Sequence, residues 1–406
     1  MHGILARFNS KRWCAMIEID PEAQAHSARL QQYIQTAANA AGGRLPFDRF
    51  MELALYAPGL GYYMSGTTKL GRGGDFITAP EISPLFGQAL AQQCAEVLAA
   101  LNGGSIVELG AGSGMLAATV LERLAELDQL PEQYLILELS PELRERQQTR
   151  IAAQVPDALT RVRWIQQLPD SLRGVILANE VADALPVQRF RIADDGAIQE
   201  LFVAADDQAP AGWREHWDTP ESPGLHEAVT RLHAQGLAQA PGYCSEVNLR
   251  LAPWLRAVAA PLTAGLVLII DYGYPQDEYY HPARDQGTLL CYYRHQALAD
   301  PYQRLGLQDI TAHVDFTALA EAGLAAGLAL AGFTTQAHFL LGCGVDELMT
   351  AAAEKLPPAD FAALAAGAKQ LLLPSQMGER FRVLGLSAGQ QKPWRGFALR
   401  DLSARL

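Results

Sequence analysis

Apolar residues along the chain occur in short, nearly uninterrupted runs that alternate with stretches of helical spacing. Within the runs, adjacent positions are both apolar, which is typical of strands buried on both faces of a parallel sheet. Between the early runs, apolar residues recur every three to four positions, as on one face of a helix. This alternation predicts right-handed βαβ units and a doubly wound α/β fold. The predicted strands cover 105–109, 134–139, 161–165, 174–178 and 265–271, and the clearest helices cover 115–127 and 142–153.

The first hundred residues have a different pattern. They predict a helical and loop-rich N-terminal extension (1–100) that packs on a catalytic domain (101–406). Residues 27–41 have helical spacing, and glycine-rich loops follow them. Ser83 is placed to cap a helix that continues to Leu98, because a serine side chain accepts hydrogen bonds from the free N–H groups of a first turn.

The strand and helix rhythm breaks three times within the catalytic domain. Each break predicts an insertion, at about 191–260, 273–320 and 345–378. The last of these is rich in alanine and leucine and predicts helix. Two apolar segments near the C terminus, 381–386 and 397–402, predict a terminal antiparallel pair of strands.

Charge and hydropathy restrict the class of partner. Of the 406 residues 49% are hydrophobic, which is ample for a buried core, and the formal net charge is −12. A protein of this charge repels phosphate backbones, so we expect no nucleic-acid partner. No apolar run approaches the ~20 residues that span a bilayer, so we expect no membrane partner.

The cysteines and the N-terminal segment concern metal binding and compartment. The five cysteines are scattered and have no zinc spacing, so we expect free thiols and no metal site. No apolar signal segment precedes Glu18, and no clear arginine-rich leader is present. We therefore expect a bacterial cytoplasmic protein rather than one of the mitochondrial matrix, with Met16 as an alternative start. The pattern does not indicate an oligomeric state.

The most informative segment is the loop that follows the first predicted strand. Gly110, Gly112 and Gly114 alternate between that strand and a helix beginning at Met115. Glycine permits positive φ and close approach of a ligand to the backbone, and a helix N-terminus attracts anionic groups. The dinucleotide pattern G-x-G-x-x-G would need a small residue at Met115, whereas G-x-G-x-G preceded by Glu108 is typical of S-adenosylmethionine sites. A tight turn without a ligand is the alternative.

Glu138 ends the second predicted strand and is followed by Leu139. An acid about 20 residues beyond a glycine loop is placed to accept both ribose hydroxyls, since its two oxygens match two adjacent donors. The sequence therefore predicts that Glu138 and Leu139 bind the cofactor. The alternative is a solvated acid at a strand end.

Asn179, Glu180 and Asp183 follow the predicted strand 174–178. Ligands of open α/β sheets bind at the carboxyl ends of the strands, so this turn is expected to line the catalytic cleft. If the acceptor is a guanidinium, two carboxylates would hold its planar fork and polarise it. These three residues are the candidate catalytic set. The alternative is that Asn179 and Asp183 bond to local backbone and cap a helix.

A polar loop upstream of Ser83 carries two further acids, Asp75 and Glu81. Such a loop, leading into a helix, is placed to fold over the cofactor. Asp75 and Glu81 are then candidates to bind the amino group of the ligand or the acceptor. An ordinary surface loop with a helix cap is the alternative reading.

Four segments together resemble the MidA family: GDFITAPEISPLFG (74–87), ELGAGSG (108–114), LELSPELRERQ (137–147) and ANEVADALPV (178–187). The resemblance implies a Rossmann-like class I methyltransferase fold with a mostly parallel seven-stranded sheet, and S-adenosyl-L-methionine as methyl donor. The mitochondrial members are arginine methyltransferases needed for assembly of respiratory complex I. The implied partner is therefore a protein with an exposed arginine, such as a complex I-type subunit.

Two segments depart from the family pattern. Ala111 and Ser113 replace a proline and an arginine in the glycine loop, which keeps its three glycines. Val181 and Ala182 replace an aromatic pair in the turn. We expect this second change to remove apolar surface near the acceptor.

Three alternatives to an arginine methyltransferase remain open. One keeps the cofactor but methylates a small molecule or another side chain. Another is a non-catalytic assembly factor that retains the fold. The last is a nicotinamide oxidoreductase, which Met115 disfavours.

Overall fold

A mixed β-sheet is at the centre of the computed structural model, which describes residues 20–65, 78–209, 211–389 and 392–406. The strands are β1 (Arg44–Pro46), β2 (Ser105–Leu109), β3 (Tyr134–Leu137), β4 (Val162–Ile165), β5 (Leu172–Asn179), β6 (Gln188–Ile192), β7 (Ile198–Ala205), β8 (Trp213–Asp218), β9 (Cys244–Val247), β10 (Leu262–Tyr274), β11 (Leu290–Tyr293), β12 (Gln296–Leu298), β13 (Asp309–Thr311), β14 (Val314–Asp315), β15 (Ala329–Thr335) and β16 (Phe381–Ala388).

Helices surround this sheet. They are α1 (Pro21–Ala40), α2 (Phe47–Tyr56), α3 (Ala79–Ile82), α4 (Pro84–Leu101), α5 (Met115–Glu126), α6 (Pro141–Gln154), α7 (Leu225–Ala234), α8 (Leu251–Ala259), α9 (Gln276–Tyr279), α10 (Phe316–Ala325), α11 (Gln336–Gly342), α12 (Val345–Lys355), α13 (Pro358–Leu372) and α14 (Arg395–Ala398). Short 3-10 turns cover Pro156–Arg161 and Ser403–Arg405, and a π-type turn covers Pro374–Gly378.

The central sheet has the strand order β15-β16-β10-β5-β2-β3-β4, and the two-residue strand β14 pairs with β10 as an eighth member. Strands β4, β3, β2, β5 and β10 are parallel, whereas β16 runs antiparallel between β10 and β15. The α/β fold with βαβ units is thus confirmed, in a mixed sheet that has one short strand more than the seven expected.

Successive residues of the central strands pack on opposite faces. Ile106, Val175 and Leu266 lie in the core that includes α4 and α5. Their neighbours, such as Val107 and Ile176, lie in the core that includes α8 and α10. Burial on both faces explains why these strands are almost wholly apolar in sequence.

The predicted terminal pair is correct for one strand only. Residues 381–386 lie in β16, but its antiparallel partners are β10 and β15, and residues 397–402 form no strand. Both edges of β16 are occupied, by β10 and β15. Phe397 instead packs flat on the backbone at Gly332 and Gly385, where a Cβ atom would lie within 2.3 and 2.6 Å of its ring.

The N-terminal segment joins a second, antiparallel sheet. That sheet has the order β1-β7-β6-β9, with β8 paired to β7. Strand β1 precedes α2, whereas β6 to β9 belong mainly to the predicted insertion 191–260. Helices α1 and α2 share a core with this sheet through residues such as Phe50, Leu201 and Trp213. Helix α4, in contrast, packs against α5 on the central sheet, with Ser83 as its N-cap. The proposed division near residue 100 remains a prediction.

The other two insertions lie on either side of the sheet's last strands. Residues 273–320 contain a three-stranded sheet, β12-β11-β13, which brings Asp309 toward the ends of β5 and β10. Residues 345–378 contain α12 and α13, as their composition predicted. None of the helices within the described ranges is both long and apolar enough to cross a membrane. Cys94, Cys244, Cys291 and Cys343 are free and buried, and Cys14 lies outside the described residues.

Candidate functional site

The candidate site lies where the carboxyl ends of β2, β3, β5 and β10 meet. The loop after β2 has positive φ at Gly110 (63°), Gly112 (53°) and Gly114 (79°). L-residues rarely adopt this conformation, so the loop requires glycine. A Cβ atom added at Gly110 would meet Val181 Cγ2 at 3.8 Å, which places the turn after β5 directly beside the glycine loop.

Glu108 lies beneath the loop rather than in it. Its side chain is buried, and its Oε2 accepts a hydrogen bond of 2.7 Å from the hydroxyl of Tyr134. Burial raises the pKa of Glu108 to about 7. This position favours a structural role under the loop over the direct cofactor contact predicted for Glu108.

Glu138 lies near the glycine loop, to which Gln147 connects it, and Leu139 follows it. The Oε1 atom of Glu138 accepts the N–H of Ser140 at 2.9 Å, and burial raises its pKa, partly opposed by this hydrogen bond. Leu139 is 59% exposed, a large apolar surface at a strand end. The carboxylate offers acceptors for ribose hydroxyls, and the leucine offers a flat apolar contact for a base.

Gln147 is a site residue to which the sequence analysis assigns no role. It lies on α6, is fully buried, and its Nε2 donates to Gly112 O at 2.9 Å and to Glu138 Oε2 at 3.1 Å. Trp164 Nε1 donates to its Oε1 at 2.8 Å. The one sequence signal is its place at the end of the segment 137–147.

The upstream loop contacts the glycine loop through Glu81 on α3. The hydroxyl of Ser113 donates to Glu81 Oε1, and the guanidinium of Arg150 lies 4.0 Å from the same atom. Glu81 is therefore next to the predicted cofactor site. Asp75, the other acid predicted from this loop, lies outside the described residues.

Asp271, at the end of β10, holds the turn that follows β5. Its Oδ2 accepts the N–H groups of Ala182 and Asp183 at 3.0 and 3.2 Å, and its Oδ1 accepts the N–H of Tyr272 at 2.9 Å. The side chain is completely buried. Three backbone donors to one carboxylate fix the turn in place. The sequence analysis assigns no catalytic or binding role to Asp271.

The three candidate catalytic residues lie together on this turn. Asn179 Nδ2 donates to Glu180 Oε1 at 3.3 Å, and the backbone N–H of Ala79 also bonds to the Glu180 carboxylate. Glu180 has φ of 52°, a strained conformation for a residue with a Cβ atom. Tyr272 donates its hydroxyl proton to Asp183 Oδ2. The Asp183 carboxyl is thus bonded to another strand, and the backbone N–H groups of Asp183 and Ala184 also interact with it, so the local-backbone alternative is correct in part.

Asn179 Oδ1 and Asp183 Oδ1 are two buried acceptors on the turn that accept no hydrogen bond of good geometry from any described residue. An unpaired buried acceptor costs free energy, so such atoms usually face a ligand or water. Both atoms therefore favour a role for the turn in binding the methyl acceptor.

The carboxylates also repel one another. Burial, and then the neighbouring Asp183, raise the pKa of Glu180 to about 8. Burial raises the pKa of Asp183 to about 6, and burial with Asp183 and Glu180 nearby holds the pKa of Asp271 far above its usual range. No ion pair joins these three residues to a cation within the described ranges. The cluster is therefore a site that a cation would stabilise.

The departure at Val181 and Ala182 has a different consequence from the one expected. Ala182 is buried and lines a cavity of about 50 Å³ behind the turn, together with His313 and Tyr280. Val181 is half-buried and faces Gly110. The loss of volume at Ala182 thus falls behind the turn and not in the open cleft.

Replacement of Glu180 by glutamine tests this electrostatic description through stability. A carboxyl whose folded pKa is raised to about 8 favours the folded state below its ordinary pKa near 4.5, and this contribution is lost as pH rises through 8. Glutamine mimics the protonated form. We expect Glu180→Gln to raise the free energy of unfolding by about 2 kcal/mol at pH 9 and to have little effect at pH 5, measured by urea denaturation.

The matched control is Glu145→Gln, an exposed carboxylate on α6, which should change stability little at either pH. An equal loss of stability at both pH values in Glu180→Gln would show that the carboxylate is well solvated or paired, against this description.

The groups at this edge fit S-adenosylmethionine. The glycine loop leaves backbone open for the methionine part, Glu138 offers two oxygens for the ribose hydroxyls, and exposed Leu139 offers an apolar face for the base. No cluster of three or more metal-ligating side chains occurs in the part of the chain that the structure describes.

Comparisons with known proteins agree with this fit. Residues 89–334 match the model of a family described as "Putative S-adenosyl-L-methionine-dependent methyltransferase". The crystal structure of a superfamily member from Burkholderia thailandensis bound to S-adenosyl-homocysteine is 41% identical, with a TM-score of 0.89, over 96% of this chain and 99% of that chain.

Two curated relatives are named protein arginine methyltransferase NDUFAF7, mitochondrial. The mouse protein is 31% identical over 86% of this chain and 82% of its own length, and the zebrafish protein 29% identical over 92% and 88%. The chain belongs to this family, the MidA family of S-adenosyl-L-methionine-dependent methyltransferases, and S-adenosylmethionine is its cofactor.

Proposed function

We propose that this methyltransferase acts on an arginine side chain of a protein partner. The observation that carries the proposal is the pair of orphaned acceptors, Asn179 Oδ1 and Asp183 Oδ1, beside the carboxylate of Glu180. A guanidinium has five N–H donors and no acceptor, so it complements a site made of acceptors alone. A methyl acceptor with a neutral hydroxyl or amine group would leave some of these hydrogen-bond acceptors unpaired.

The charge of the site supports the same acceptor. Three buried carboxylates with raised pKa values lie at one strand edge, and a bound cation would lower those pKa values and favour the charged forms. A guanidinium stays protonated near neutral pH and is a poor nucleophile. Glu180 and Asp183 would orient its fork and concentrate electron density on one nitrogen.

The donor and acceptor sites are adjacent, as transfer requires. Val181 follows Glu180 and faces Gly110 of the cofactor loop. When bound, S-adenosylmethionine supplies an electrophilic methyl group. The turn would hold the acceptor nitrogen against that methyl, and the lost proton would pass to a carboxylate of the turn.

The relatives' names favour a protein partner over a small molecule. The mouse and zebrafish relatives are named protein arginine methyltransferases. The partner we propose is a protein segment with an exposed arginine, such as a complex I-type subunit.

The cofactor half of the proposal predicts a specific loss on replacing Glu138. Glu138→Ala removes the oxygens proposed to accept the ribose hydroxyls. Binding of S-adenosylhomocysteine should weaken by about 1–3 kcal/mol, the range for a lost charge-assisted hydrogen bond. Isothermal titration calorimetry measures this change. Glu142→Ala, which removes a partly exposed carboxylate paired with Arg146 on α6, is the control and should bind normally. Unchanged affinity in Glu138→Ala would remove Glu138 from the site.

The proposed arginine acceptor predicts that methyl transfer depends on pH. Because the pKa of Glu180 is raised to about 8, the carboxyl must lose its proton to hold a guanidinium. The kcat/KM for arginine peptides should therefore rise with pH up to about 8 and then level off. Glu180→Gln should bind S-adenosylhomocysteine normally, lose about 100-fold or more in transfer, and lose this pH dependence.

The transfer is measured with S-adenosylmethionine that carries a label in its methyl group. The substrates are an array of arginine peptides, each matched by a version with lysine in place of arginine. Glu145→Gln is the control for charge. Equal labelling of the lysine peptides would contradict arginine selectivity, and normal transfer by Glu180→Gln would exclude a catalytic role for Glu180.

A further inference from the structure

Gln147 is a fully buried amide whose hydrogen bonds connect three separate parts of the cofactor site. Its two N–H donors reach the carbonyl of Gly112 at 2.9 Å and the Oε2 atom of Glu138 at 3.1 Å, and its carbonyl accepts from Trp164 Nε1 at 2.8 Å. These partners belong to the glycine loop, to the residue after β3, and to β4. Both of its donors are used, and its oxygen is paired as well.

Trp164 determines which way the amide of Gln147 faces. An indole N–H is a donor only, so the atom of Gln147 that meets it must be the oxygen. The NH₂ group then faces Gly112 and Glu138. A rotation of 180° about the last side-chain bond would bring two donors together at Trp164 and two acceptors together at Glu138.

Glu138 in turn has its carboxylate held by donors at both oxygens. Ser140 N–H donates to Oε1 at 2.9 Å, Gln147 donates to Oε2, and the backbone N–H of Leu139 also interacts with the carboxylate. No ion pair to Glu138 occurs within the described ranges. The two carboxylate oxygens have four lone-pair positions between them, and these donors do not use all four, so room stays for a ligand hydroxyl.

The backbone at Gly114 packs closely against Gln147. A Cβ atom at Gly114 would lie 2.9 Å from Gln147 Cα, so the end of the glycine loop sits directly on α6. Arg150, one turn further along the helix, donates to Ser113 O at 3.0 Å. Helix α6 therefore holds two successive carbonyls of the glycine loop, and Gln147 bonds both to that loop and to Glu138.

We infer that Gln147 is a positioning residue for cofactor binding: it aims the carboxylate of Glu138 at the two ribose hydroxyls and fixes the glycine loop in register with it. The inference rests on the assignment of Glu138 to the ribose. A merely structural role in α6 would weaken all ligands of the site alike. A positioning role weakens most the ligand that has the hydroxyls.

The test compares two ligands by calorimetry on the full chain. One is S-adenosylhomocysteine, and the other is its 2′,3′-dideoxy analogue. We expect wild-type protein to bind the analogue about 10- to 100-fold more weakly, as for one or two lost charge-assisted hydrogen bonds. In Gln147→Met, which keeps the length but removes every hydrogen bond, the two Kd values should agree within about threefold, mainly because S-adenosylhomocysteine binds less tightly.

The matched control is Gln154→Met on the same helix. Its amide donates to Glu122 Oε2 at 2.9 Å, away from the loop, so the wild-type ratio of the two Kd values should persist. A second variant, Trp164→Phe, keeps Gln147 but frees its amide to rotate. It should also bring the two Kd values closer together, and it tests the positioning role of Gln147 if Gln147→Met does not fold.

Glu138→Gln separates the two ways in which the idea can fail. If Glu138→Gln abolishes the ligand preference but the folded Gln147→Met or Trp164→Phe protein retains it, the positioning role is wrong and the ribose assignment stands. If Glu138→Gln retains the preference, both the ribose assignment and the role of Gln147 are wrong. Loss of preference in all three variants, with Gln154→Met unchanged, supports the inference.

Discussion

The arrangement of the turn after β5, which we propose binds the methyl acceptor, depends on one buried carboxyl group, that of Asp271. It accepts three backbone N–H groups, from Ala182, Asp183 and Tyr272, and has no cation beside it within the described ranges. Burial, and then the nearby carboxyls of Asp183 and Glu180, hold its pKa far above the usual range, and the backbone N–H groups offset this only in part. These bonds hold the turn after β5 against β10, together with the N–H of Glu180 that donates to Ile270 O and the hydroxyl of Tyr272 that donates to Asp183.

The same bonds explain why the turn is costly and still well defined. Glu180 has positive φ, and one buried oxygen of Asp183 accepts no hydrogen bond of good geometry from the part of the chain that the structure describes. Strain and unpaired acceptors of this kind persist only where neighbouring contacts over-determine the structure. Asp271, the hydroxyl of Tyr272 and the N–H of Ala79 supply those contacts.

The sequence was sufficient for features whose cause is local. Adjacent apolar residues mark strands that are buried on both faces, so β2 was predicted with its observed ends, β5 to within two residues, and β10 three residues short at each end. The cap at Ser83 and the glycine loop are likewise local signals. Residues 397–402 misled because apolar residues also cover a sheet face: Phe397 packs on Gly332 and Gly385 instead of joining an edge. The local sequence pattern predicts that a segment is buried. Whether it is buried as a strand or by packing on a sheet face depends on how many strand edges are free.

Residues that hold other site residues were harder to predict. Gln147 is 35 positions from Gly112, and Asp271 is 89 positions from Ala182, so only the folded chain brings each pair together. Helix α3 shows what such contacts achieve. Its first N–H bonds to Glu180 of the acceptor turn, and its Glu81 accepts from Ser113 of the cofactor loop. Four residues are too few for a stable helix alone, so these bonds, with packing on α4 and α13, fix its position. The cofactor loop and the turn after β5 therefore both bond to this one small element.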